Sequence, residues 1–222
     1  MPQNPPSSRT TLRRKPQRGH YDAAAIAAIV DASLICQIAF NDGDSVHCLP
    51  TACWRIGEHL YIHGANNSRL TQTLLTTECA VCIAHVDGLV LARSAFHHSM
   101  NFRSVAIYGR FVAVDAEAEK QAALAAFVDH VSPGRSALVR PPNAGELAGT
   151  RVLRLSLAEA AAKIRNWGVE DDADDMAHPV WAGVVPLAMV AGPLQPDTTC
   201  GPWPKPALAD FIEPGYSRRG DT

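Results

Sequence analysis

Apolar and polar positions alternate along most of the chain, which predicts strands, and shift to a helical period in only three places. Residues 34–40 form an apolar run closed by Asn41-Asp42-Gly43-Asp44, residue types that turn a chain back on itself. A second strand is therefore expected over 46–56, and Gly57-Glu58 then turns into a strand at 59–63. Further strands are expected at 79–86 and 89–93, joined as a hairpin by Asp87-Gly88, and at 152–157. The longest covers 102–114, with Val105, Ile107 and Phe111 on one face and Ser104 and Tyr108 on the other. Asp22 caps a short helix running to Ser33, whose stripe is Ile26, Ile29 and Val30. Ser68 caps a second helix carrying Leu70, Leu74 and Leu75, and 116–130 is an alanine-rich amphipathic helix. Several short antiparallel strands with few helices predict a mainly β fold with flanking helices, closed or nearly closed into a barrel.

The two ends break this pattern. Residues 1–18, rich in Pro, Ser and Arg, read as a flexible arm; 19–191 form one domain; 192–222 form a proline-punctuated extension. Both ends are expected to be loose or draped over a partner. The 222 residues are 47% hydrophobic and 19% charged, enough to bury a sizeable core. A formal net charge of -2 lacks the basic excess that phosphate-led nucleic-acid binding needs. The most apolar stretch, 180–194, is broken by Gly183, Pro186, Gly192 and Pro193 and falls short of the ~18–20 residues of a membrane span. The first twenty residues lack the apolar segment of a secretory signal. Six dispersed cysteines read as reduced packing thiols, which points to a cytoplasmic protein with neither membrane nor nucleic acid as partner.

Candidate chemistry is sparse, because the two commonest glycine-rich nucleotide loops are absent. One segment offers another device. In Tyr61-Ile62-His63-Gly64-Ala65-Asn66-Asn67-Ser68-Arg69 a strand ends, a glycine permits close approach, and a helix opens with Ser68 and Arg69, a place suited to phosphate. The same residues are equally satisfied by a capped helix bearing an exposed arginine. His97 and His98 are candidates for proton transfer, only one of which reaches a given ligand if both lie on a strand. No metal site is expected. His59 and His63 are ~13 Å apart on a strand, Cys79 and Cys82 face opposite ways, and the run Glu170-Asp171-Asp172-Ala173-Asp174-Asp175 reads as a solvated loop.

The order of Leu60-Tyr61-Ile62-His63-Gly64, Ser68-Arg69 and Phe102-Arg103-Ser104-Val105-Ala106-Ile107-Tyr108-Gly109 resembles the pyridoxamine 5'-phosphate oxidase-like family of flavin-binding split β-barrels. The runs 85–93 and His97-His98-Ser99-Met100-Asn101 are similar to its nitroimidazole-resistance-related branch, and the likeness covers 18–165. The resemblance implies an antiparallel split β-barrel that binds FMN at a homodimer interface. It places the phosphate at Ser68 and Arg69, with His63 and Gly64 on the phosphate and ribityl side. The isoalloxazine lies along Pro50 and Thr51, and Arg103 and Ser104 supply polar contacts; Trp181, a large aromatic, suits either packing near the flavin of the other subunit or plain core or dimer packing. The implied activity is that of an FMN-dependent oxidoreductase with a small-molecule electron donor and acceptor. Alternatives on the same barrel are a deazaflavin or nitroimidazole reductase, and a non-catalytic flavin- or haem-binding protein for storage, sensing or haem handling. The oxidases carry cations where this chain has Pro50 and Leu70, which argues against pyridoxamine phosphate as substrate.

Overall fold

A computed structural model describes residues 4–206. Its elements are β1 (Gly19–His20), α1 (Ala23–Asp31), β2 (Ile35–Asn41), β3 (Val46–Ala52), β4 (Trp54–Ile56), β5 (His59–Ala65) and α2 (Arg69–Thr73). There follow β6 (Cys79–Leu91), β7 (Ser99–Gly109), β8 (Val112–Ala113), α3 (Glu117–Val131), α4 (Ala144–Gly149), β9 (Thr150–Ser156), β10 (Ala160–Arg165) and β11 (Gly183–Pro186). All pairings are antiparallel. One sheet runs β1-β10-β7-β6-β2-β3, with β11 added to β6, and the other runs β4-β5-β9-β8, so the barrel is split rather than closed.

The main core lies between the sheets. Ile38, Val81, Ile83, Val105 and Ile107 from the larger sheet meet Leu60, Ile62, Leu153 and Leu155 from the smaller, and Ile26, Ile29 and Val30 of α1 plug one end. The Asp22 carboxylate starts α1 by accepting from the Ala25 N–H at 2.8 Å. Ala123, Leu124 and Phe127 of α3 cover the outer face of the smaller sheet at Trp54, Tyr61 and Val152.

Two expected strands change sheet midway. The 46–56 segment breaks at Cys53, which is fully buried and donates its N–H to Leu34 O at 3.1 Å, so β3 and β4 belong to different sheets. The 102–114 segment breaks at Gly109, whose φ of 150° a side chain rarely adopts, and Phe111 then drops into the core. The expected hairpin at Asp87-Gly88 does not form. There β6 runs on through a bulge, because Asp87 accepts from Arg103 Nε at 3.1 Å and β11 packs so closely that a Cβ on Gly88 would meet Val185 O at 3.1 Å. The helix expected after Ser68 stops after five residues, and the Ser68 hydroxyl does not cap it.

Residues 7–12 of the N-terminal arm lie against the larger sheet. Thr10 is buried, Arg9 donates to Glu159 Oε1 at 2.7 Å and Glu78 Oε2 at 3.1 Å, and its guanidinium sits 5.1 Å from the Tyr108 ring centre. Beside Arg9 the Glu159 carboxyl is held down at about 2. Of the expected C-terminal extension, 207–222 lies outside the described residues.

Candidate functional site

The outer face of the larger sheet is built mostly from small side chains. Register aligns Pro50, Gln37, Cys82 and Ala106 in one row and Cys48, Ala39, Ala80 and Tyr108 in the next. The core-facing neighbours Ile38, Val81 and Ile107 alternate with them, as a two-residue period requires. Strand β3 is the sheet's edge, so its outward N–H and C=O groups have no strand neighbour. Pro50 lies on the outer face and Thr51 on the core side, paired with buried Cys36.

Beyond the far end of β3, the β2–β3 turn meets α2. Asp42 accepts from the Ser45 N–H at 3.0 Å and from His47 Nε2 at 2.7 Å, and these bonds hold its carboxyl below the usual carboxylate range. Arg69 stands 3.8 Å from the same carboxylate, with its side chain 69% exposed, so most of its hydrogen-bonding capacity faces outward. Because α2 is only five residues long it contributes little dipole, and anion binding here falls to the guanidinium.

Other predicted site residues separate. Gly64 approaches the chain's own Thr71, whose Cγ2 lies 2.9 Å from where a Cβ would be. His63 points the other way, with ring centres 5.6 Å from Trp54 and 4.7 Å from Phe127. Its Nδ1 is buried without a partner, and burial pushes its pKa down. Ser104, on the outer face, donates to Lys163 O at 3.4 Å and lines a cavity of about 220 Å³ roofed by Arg9 and Leu12. Arg103, one residue earlier, faces the opposite side and pairs with Asp87. Trp181 is 64% exposed and folds its ring over Gly183.

His97 and His98 are not on a strand. They end the 3-10 turn Ala95–His97, because the true β6–β7 connection falls here. His98 donates from Nδ1 to Ser94 O at 2.9 Å, and His97 Nε2 lies 3.1 Å from Asp172 Oδ2. The acidic run is only partly solvated, since the Asp171 side chain is 1% exposed and accepts from Arg93 N and Nη1. Cys79 is buried and Cys82 exposed on opposite faces of β6, and all six cysteines are free thiols. Burial pushes the Cys79 thiol up to about 12.

One cluster left no local signal in the chain. Arg165, buried, donates to Asn101 Oδ1, to Trp167 O at 2.7 Å and to Gly168 O at 2.8 Å. Its guanidinium and that of Arg18 sit 4.7 and 4.9 Å from the Trp167 ring centre. Burial, followed by the charge of Arg18, pushes the Arg165 pKa down.

No helix among the described residues is long and apolar enough to cross a membrane. No curated protein matches the chain. Among solved structures it is similar to the flavocytochrome Anf3 from Azotobacter vinelandii, with 36% identity over 95% of this chain and 99% of that one and a TM-score of 0.88. It is also similar to an FAD- and haem-binding protein from Mycobacterium smegmatis, with 28% identity over 88% of this chain and 97% of that one and a TM-score of 0.81. A 5-nitroimidazole antibiotic resistance-type protein from Bacteroides thetaiotaomicron shares the fold at 16% identity, over 64% of this chain and 84% of that one, with a TM-score of 0.56. The sequence profile of the pyridoxamine 5'-phosphate oxidase family matches residues 22–164. With that match spanning most of the split barrel, the chain belongs to the pyridoxamine 5'-phosphate oxidase family.

Proposed function

We propose that this protein is a flavin-binding redox protein that also carries haem and passes electrons between a small-molecule donor and acceptor. The end-to-end likeness to a flavocytochrome, 36% identical over 95% of this chain, carries the reading, and the FAD- and haem-binding relative supports it. When bound, the flavin supplies hydride and electron chemistry and the haem single-electron chemistry.

The residues fit both groups. For a flavin, the small-residue face of the larger sheet offers a floor for a planar ring, the free edge of β3 offers hydrogen-bonding groups, and Arg69 offers a cation to a phosphate. FMN is the flavin the family resemblance implies and FAD that of the Mycobacterium smegmatis relative, and Arg69 would serve a phosphate of either. For haem, His98 is the residue that would hold the iron. Its Nδ1–H is fixed on Ser94 O, so Nε2 is the ring nitrogen turned to a ligand, and among the described residues nothing occupies it. Exposed apolar side chains flank it in the chain: Phe96 is 90% exposed, and Met100 pairs across the strands with Leu89, also exposed.

Pyridoxamine 5'-phosphate is not the substrate in this reading. Pro50 and Leu70 offer no charge, and the neighbouring Arg55 is spent on Asp31, with Nε at 2.8 Å and Nη2 at 2.6 Å. Beyond the part that residues 7–12 cover, the outer sheet face around Gln37, Cys48 and Pro50 is exposed and suits a second copy of the chain, so the working unit is a homodimer in which light scattering reads about twice 23.8 kDa. Free thiols on both buried and exposed cysteines suit the cytoplasmic setting we assign to it.

Absorbance of the purified protein tests the function directly, and both a flavin spectrum and a Soret band are expected. Protein that takes up neither flavin nor haem overturns the reading, and flavin without haem reduces it to the FMN oxidoreductase. Arg69→Ala should weaken FMN roughly 10- to 150-fold, the equivalent of a ~1.5–3 kcal/mol charged hydrogen bond, with a much smaller effect on riboflavin. Equal losses for the two in fluorescence titration would place Arg69 away from the phosphate.

A further inference from the structure

Two loops far apart in the chain converge beyond the end of β6. The first joins β6 to β7 and holds the turn Ala95–His97. The second follows β10 and contains one 3-10 turn, Ala173–Asp175, preceded by Asp172. Asp171 locks them together, accepting from the Arg93 N–H at 3.0 Å and from Nη1 at 2.9 Å. Its charge is thereby matched to Arg93, while Asp172 and Asp175, a single turn apart, are left beside His97.

The donors are close. His97 Nε2 lies 3.1 Å from Asp172 Oδ2, and one ligand atom each from His97, Asp172 and Asp175 lies within 4.8 Å of the other two. The Phe96 ring meets the imidazole edge-on, 5.3 Å between centres, and braces its plane. A tetrahedral ion with bonds of ~2.0–2.1 Å holds its ligand atoms about 3.3 Å apart. The His97–Asp172 pair already has that spacing, and reorientation of the half-buried Asp175 carboxylate from within 4.8 Å closes the rest.

We propose that His97, Asp172 and Asp175 bind a divalent first-row transition ion, zinc foremost, which staples the acidic loop to the β6–β7 connection. Two carboxylates balance the ion's charge. The imidazole selects zinc-like ions over magnesium and calcium, which prefer all-oxygen shells. Three protein ligands leave a fourth position for water. The sequence alone could not pair this acidic run with a histidine, because His97 lies 75 residues upstream of Asp172.

This inference stands apart from the flavin and haem reading, and its test counts a different element. The full-length purified protein is dialysed to equilibrium against micromolar zinc chloride, and zinc and iron are measured separately by atomic emission. One zinc per chain is expected. His97→Ala, Asp172→Asn and Asp175→Asn should each weaken binding about tenfold or more, whereas His178→Ala, outside the cluster, should leave it unchanged. Circular dichroism of each variant checks that the barrel is retained. Absent zinc in the wild type, or equal zinc in the wild type and all three folded variants, overturns the proposal.

Discussion

Replacing His98 by alanine should strip haem from the purified protein while flavin content and the barrel are retained. The imidazole is held from behind by Ser94 O at 2.9 Å and presents Nε2 outward, so its removal deletes the donor without touching the core. Loss of the imidazole that would hold the iron should lower haem occupancy at least about tenfold, a bound set by the 10- to 100-fold effects of merely orienting groups. His97→Ala is the matching control, because its Nε2 faces Asp172 and its loss should leave the Soret band in place. Imidazole added to the His98→Ala protein should restore part of the spectrum. An unshifted Soret band at full occupancy in His98→Ala would assign the iron to another histidine.

Arg165→Met should cost the protein about 3 kcal/mol, the scale of charged hydrogen bonds lost in a buried setting. Its partners, Asn101 Oδ1, Trp167 O and Gly168 O, are neutral oxygens, and methionine would remove the buried guanidinium that gathers all three. Trp167 would also lose one of the two guanidiniums that clasp its ring. For a chain of this size the expected fall in Tm is roughly 6–12 °C. Arg165→Lys should recover only part of the loss, because an ammonium cannot span three oxygens as the planar fork does. A Tm for Arg165→Met within a degree or so of the wild type would mean that water replaces the guanidinium at little cost.

Much of the fold was legible because it is written in short-range terms. The stripe Ile26, Ile29 and Val30 with its Asp22 cap became α1, and the turn at Asn41-Asp42-Gly43-Asp44 joined β2 to β3. The two-residue period correctly put Cys79 and Cys82 on opposite faces, and the structure makes Cys79 the buried one. Where two signals competed, local reading failed. Asp87-Gly88 has the composition of a tight turn, yet Arg103 and the close passage of β11 hold it as a bulge within one long strand. Misplacing that turn also misplaced His97 and His98, which lie in the real connection.

The candidate site divides along the same line. Arg69 could be singled out from the residues beside it, but its looser relation to Asp42, and the spending of Arg55 on Asp31, depend on where β3, β4 and α1 come to rest. The clasp of Arg18 and Arg165 on Trp167, the burial of Asp171 on Arg93, and the meeting of His97 with Asp172 have no counterpart in any window of the sequence. Alternation and capping energies act over four residues or fewer, so they determined the β class, α1 and the facing of most strand residues by themselves. Which strand crosses to the second sheet, and which charges end up together, is decided by packing between residues distant in the chain, from Leu34 and Cys53 to Arg93 and Asp171, and only the assembled barrel sets those distances.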